Sequence, residues 1–197
     1  GMPNTCELVK PDDVPADVSE RRSDDVLSAF AWATERAVTY PSRSSGRKLS
    51  LVGWSLGGLY ARELAKQAPH AVRAVVTLGS PFTGPMQANN AWRTYQWVHR
   101  HRPPEPPSRA ELQTPPPVPT TSIYSRSDGV VAWPCSLQVA GPMSESIEVA
   151  ASHLGLGVNP LALYALADRL AQPEGQWRAF DRSGLRATVY PANASRA

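Results

Sequence analysis

The chain has 197 residues, 42% hydrophobic and 19% charged, with a net charge of +3. This describes one globular domain, residues 1–197, long enough to bury a sizeable core and too apolar to be disordered. The slight positive balance, without basic clusters and aromatic platforms, argues against nucleic acid as a partner. Two cysteines, Cys6 and Cys135, can build neither a disulfide framework nor a four-ligand zinc site. No apolar run approaches the ~20 residues of a membrane helix. The acidic first thirty residues hold no signal-peptide core, so the expected compartment is the cytoplasm. Gly1 ahead of Met2 reads as a tag-cleavage remnant.

Residues 1–18 predict an irregular lead-in, rich in prolines and acids. From Asp24, the recurrence of Val26, Phe30, Ala33 and Ala37 predicts an amphipathic helix that ends before Pro41. Leu49–Trp54 is a short apolar run that predicts a buried parallel strand. Leu56–Gln67 has helical spacing through Leu59, Tyr60, Leu64 and Ala65, and Pro69 closes it. Ala71–Leu78 is a second β-branched run, so these three segments form a right-handed βαβ unit.

Residues 84–118 differ in kind. They hold Trp92, Tyr95 and Trp97, then His99-Arg-His-Arg102, then eight prolines between Pro103 and Pro119. Prolines at that density forbid helix interiors and central strands, so the segment reads as an insertion. Thr120–Ser125 is a third strand candidate and Ile147–Ala150 a fourth. Asn159 caps a helix that has Pro160 at its first position. Leu163, Tyr164, Ala167 and Leu170 are its expected apolar face. Residues 174–197 show no clear pattern.

The chemistry is concentrated at strand ends. Gly53-Trp54-Ser55-Leu56-Gly57 fits G-x-S-x-G, and it follows a strand and opens a helix, as a nucleophile elbow must. The residues two before and two after the serine must be small, and both are glycine. A serine hydroxyl needs a general base, and the base needs an orienting group. Of the four histidines, His70 lies in a turn, and His99 and His101 lie in the insertion. His153 alone follows a strand candidate, where a doubly wound sheet presents reactive loops. Asp128 meets the same condition after Thr120–Ser125, with Gly129 allowing a tight turn.

The order Ser55, Asp128, His153 on strand-end loops resembles the α/β-hydrolase superfamily, and most of all its bacterial lipase and esterase members. The runs SLVGWSLGGLYARELA, TLGSPFTGP, IYSRSDGVVAW and SHLGLGVNP carry the likeness from residue 48 to about 172. It implies a partial α/β-hydrolase fold, a mostly parallel sheet with flanking helices and a lid at 84–118. It also implies Ser55 as nucleophile, His153 as base, Asp128 as its orienter and the Leu56 N–H as an oxyanion donor. Trp54, Trp92, Tyr95 and Trp97 are candidate substrate contacts, although the insertion's aromatics equally suit pinning a lid to the body. The expected activity is hydrolysis of carboxylic esters, on a small-molecule ester or acyl substrate, with no metal and no other cofactor. Acyl transfer to a non-water acceptor and thioester hydrolysis would use the same residues. A truncated, catalytically silent relative that serves as a binding module is the alternative.

Two features depart from the family pattern. About 22 residues precede the first predicted helix, so the chain resembles the C-terminal half of the fold. Leu49–Trp54 is then expected at a sheet edge, and a bare apolar edge invites a homodimer. There is also no His-Gly dipeptide to suggest the loop that gives the second oxyanion N–H. Loss of one donor costs about 10²–10³ in turnover, so low activity is expected.

Overall fold

The computed structural model describes residues 46–84, 112–139 and 141–192. The helix expected near residues 24–38 and most of the 84–118 insertion, with Trp92, Tyr95 and Trp97, lie outside the described residues. Four parallel strands form one sheet in the order β1-β2-β3-β4. They are β1 (Leu49–Trp54), β2 (Val72–Leu78), β3 (Thr120–Tyr124) and β4 (Ser144–Glu148). Helix α1 (Leu56–Gln67) joins β1 to β2, and α2 (Pro160–Ala171) follows β4. A short 3-10 helix, Trp133–Ser136, lies between β3 and β4.

Each face of the sheet has its own apolar cluster. Leu64, Ala65 and Ala68 from the α1 segment pack with Val72, Val75 and Val118. On the other cluster, Val76, Leu78, Ile123, Ile147 and Val149 meet Ala162, Ala165, Phe180 and Tyr190. Strands β2 to β4 are therefore covered on both sides, whereas β1, expected to be buried, leaves Val52 and Trp54 45% and 42% exposed because it ends the described sheet.

The second cluster corrects two expectations. Leu163 and Tyr164 are 44% and 46% exposed, and Ala167 is exposed too, so they are not the buried face of α2. Ala162 and Ala165 face the sheet instead, flanked by Leu161 and Leu166. Alanine lets the helix approach closely, and the space left beside it is filled by Phe180 and Tyr190. These come from the tail that shows no periodicity. Their rings meet edge to face at 4.7 Å, and the Tyr190 hydroxyl donates to the Leu161 carbonyl at 2.8 Å.

Strand β4 begins three residues before the expected Ile147, because its first half is polar. Glu145 is buried there, and accepts from Arg169 Nη1 at 2.6 Å and from the Phe180 N–H at 2.9 Å. The Asn159 cap is as expected, with its Oδ1 accepting from the N–H of Leu161 and Ala162 at 2.9 and 3.1 Å.

Arg62, on α1, is fully buried and braces the root of the insertion. It donates to Gln138 Oε1 at 2.9 Å and to the carbonyls of Leu112, Gln113 and Thr114 at 3.2–3.4 Å. Its guanidinium lies 3.9 Å from the centre of the Phe82 ring. Burial pushes its pKa down to about 10. Among the described residues, no helix is long and apolar enough to cross a membrane.

Candidate active site

The site grows from the carboxyl ends of the four strands. After β1 the chain turns at Ser55, with φ 54° and ψ −127°. Ser55 is the only non-glycine described residue with positive φ. Such a conformation costs about 1–3 kcal/mol and persists only where its surroundings enforce it. Here the Ser55 N–H donates to the Leu78 carbonyl at 2.8 Å, which ties the turn to the end of β2. Gly53 and Gly58 allow the tight packing behind it. A Cβ on Gly53 would overlap the backbone of Gly57 and Gly58, and one on Gly58 would overlap Ser80. Leu56 then opens α1, whose first N–H groups have no partner within the helix. The positive end of the helix dipole thus lies beside the Ser55 turn.

The loops after β3 and β4 bring Asp128 and His153 together. His153 Nδ1 lies 2.7 Å from Asp128 Oδ2. The two side chains are 8% and 2% exposed, so the pair is screened from water. Asp128 Oδ1 accepts from the N–H of Val130 and of Val131, each at 2.8 Å. One carboxylate oxygen is thus fixed by backbone donors, and the other is aimed at the imidazole. The loops are also laced to each other. Ser125 Oγ accepts from the Ala151 N–H at 3.1 Å, and Ser127 Oγ donates to the Ala151 carbonyl at 3.0 Å.

Trp54, just before Ser55, reaches the same place. Its indole Nε1 donates to the His153 carbonyl at 3.2 Å. The indole and imidazole centroids are 5.7 Å apart. His70 is exposed in the turn after α1, at the opposite end of the strands, while His99 and His101 lie outside the described residues.

Sequence reasoning missed Gly79. It follows β2 with φ +53°, and its N–H donates to the Ile123 carbonyl at 2.9 Å. A Cβ there would lie 2.9 Å from Asp128 Oδ2, 3.3 Å from His153 Nδ1 and 2.7 Å from Leu156 Cδ1. Glycine is therefore what leaves room for the acid–imidazole pair. A glycine directly after a β-branched strand was the available signal. Ser125 and Ser127 were missed too, and a short hydroxyl beside an Asp-Gly turn is too common to single out.

A strained serine turn between strand and helix, with an acid–imidazole pair from the next strand-end loops, now sits on a four-stranded parallel sheet. A family model described as alpha/beta hydrolase fold matches residues 42–101. The described residues form a partial α/β-hydrolase fold. Solved structures agree at the level of that fold. Lipase B of Aspergillus fumigatus is 16% identical with a TM-score of 0.56, over 74% of this chain and 42% of that one. An alpha/beta superfamily hydrolase from Oenococcus oeni PSU-1 is 16% identical with a TM-score of 0.52, over 76% and 75%. An alpha-beta serine hydrolase homologue from Coxiella burnetii is 16% identical with a TM-score of 0.51, over 75% and 61%. This α/β-hydrolase-fold chain thus spans less than two thirds of the lipase and of the Coxiella protein. No curated protein matches it.

Proposed function

We propose that the protein is a serine hydrolase of carboxylic esters, with Ser55 as nucleophile, His153 as general base and Asp128 as its orienter. The reading rests on the buried His153–Asp128 pair at 2.7 Å, on the same rim as the strained Ser55 turn. Because Asp128 accepts at Nδ1, the imidazole is held in the tautomer that leaves Nε2 free to take a proton.

In the proposed reaction His153 Nε2 takes the Ser55 proton as Oγ bonds to the ester carbonyl carbon. The tetrahedral oxyanion is met by the Leu56 N–H at the start of α1. It collapses with loss of the alcohol, which takes the proton back from His153. Water, deprotonated by His153, then attacks the acyl-enzyme, and the acid and free Ser55 are released. The exposed side chains of Trp54 and Leu154, 42% and 73% accessible, support an apolar acyl group at the rim.

A fluorophosphonate probe tests this directly. The intact protein should be labelled, and Ser55→Ala should not. The same substitution should lower nitrophenyl butyrate turnover by about 10⁴-fold or more. A folded wild-type sample that takes no label would instead favour the silent binding module.

Two further parts of the proposal concern surroundings. β1 ends the described sheet, which supports edge-to-edge pairing with a second copy. Sedimentation that gives a monomer at every concentration would end that idea. The free, buried Cys135 suits a reducing cytoplasm, which cell fractionation checks.

A further inference from the structure

One large side chain of the site, whose exposed face is proposed above to meet the acyl group, also makes contacts that the triad does not use. Trp54 belongs to the elbow by sequence and to the His153 loop by contact. It lies 99 residues away from His153, yet its indole N–H donates to the His153 main-chain carbonyl at 3.2 Å. Its ring lies against the imidazole, with centroids 5.7 Å apart and planes inclined by 32°. Both contacts fall on one residue, the main chain through the carbonyl and the side chain through the ring. The space beside Nδ1 is set by Gly79, where a Cβ would stand 3.3 Å from that nitrogen.

We propose that Trp54 is a positioning residue for His153, fixing its main chain through the indole N–H and its ring through the indole face. The inference builds on the assignment of His153 as the base. Its physical content is a short mechanical path. Ser55 is bonded to Trp54, and Trp54 holds His153, so nucleophile and base move as one unit even though their loops leave different strands. A base held in a near-attack position spares the cost of ordering it at each turnover. The indole face also suits the positive charge that the imidazole acquires as it takes the serine proton.

Two substitutions separate the contacts. W54F keeps an aromatic face and loses the N–H, whereas W54L loses both. Labelling of Ser55 by a fluorophosphonate should slow about 3- to 10-fold in W54F, the rate equivalent of one ordinary hydrogen bond. In W54L it should slow about 10- to 100-fold, within the range by which an oriented base contributes. For nitrophenyl butyrate the loss should fall on kcat, with KM within about twofold of wild type, as for an interaction that acts in the transition state. A loss confined to KM in both variants would make Trp54 a substrate wall and overturn the positioning role.

A second readout does not depend on catalysis. In the wild type, the His153 Cε1–H proton resonance should carry the ring-current shift of the neighbouring indole. W54L should abolish that shift, and W54F should retain most of it. Unchanged His153 resonances in both variants would sink the proposal, even in an active enzyme. If the wild type takes no label but the His153 shift disappears in W54L, the hydrolase reading fails and the positioning contact stands. Melting curves establish that each variant is folded.

Discussion

At the carboxyl ends of the strands, Ser55 sits at φ 54°, Gly79 at φ +53°, and Asp128 and His153 form a closed pair. At the amino ends the same sheet is fastened by charge. Arg169 holds Glu145 and Asp168, and Arg73 donates to Ser50 Oγ at 2.8 Å and to the Leu170 carbonyl at 2.5 Å. Both ends contain buried ionisable groups, but the consequences differ. The carboxyl rim keeps a turn that the backbone disfavours, and its acid–imidazole pair uses one ring nitrogen, leaving the other for the proton transfer proposed above. The amino rim satisfies its charges with one another and with main-chain carbonyls. A strained, half-open rim is tolerable because the opposite rim and both packed faces hold the strands in register.

The sharpest way to break this contrast is to damage each end separately. Asp128→Asn should leave the melting temperature nearly unchanged and lower ester turnover by about 10⁴-fold, since the wrong imidazole tautomer is then held. Turnover within tenfold of wild type would show that the pair is structural. At the other end, Arg169→Met strands the buried Glu145 carboxylate. It should cost about 3–5 kcal/mol in urea unfolding, while the folded fraction still hydrolyses ester at the wild-type rate. A loss of rate without loss of stability would reverse the assignment of the two ends.

Gly79→Ala tests the carboxyl end in its mixed aspect. The added Cβ meets Asp128 Oδ2, His153 Nδ1 and Leu156 Cδ1 at a backbone angle that suits glycine. We expect about 1–3 kcal/mol of destabilisation and a roughly 10-fold fall in turnover, read by melting and kinetics on one sample. The smallest effect is expected in alkali. Burial raises the Tyr190 phenol above its ordinary value of 10.0, so the folded chain holds that proton more tightly than the unfolded chain. The stability this provides is complete below pH 10 and declines as the pH climbs above it. Tyr190→Phe should flatten that decline in unfolding curves, and an unchanged slope would remove Tyr190 as its cause.

Much of the candidate site's local geometry was legible in the sequence because its constraints are local. The glycines around Ser55, the Asp-Gly turn and the Asn-Pro cap are each dictated by backbone geometry at one place, and β1 and α1 fall on their expected residues. His153 could be singled out because topology confines reactive loops to one end of the strands. What periodicity missed was determined by partners far along the chain. Glu145 can be buried because Arg169, the Phe180 N–H and the Thr121 hydroxyl meet it, so a polar run could form the first half of β4. Alanines became the inner face of α2 only because Phe180 and Tyr190 fill the space beside them. Gly79 shows its purpose only when Asp128 and His153 are already in place.

Phe180 and Tyr190 also bear on how the polypeptide is made. The α1 side of the sheet can close once Val118 has emerged from the ribosome, because no described member of its cluster lies beyond that point. The α2 side lacks two of its largest buried rings until translation passes residue 190. A nascent chain therefore carries one finished face and one wet, sticky face for a long stretch of synthesis. That interval is when chaperones would engage it, and it makes a stop codon between Phe180 and Tyr190 more harmful than the plain sequence there suggests.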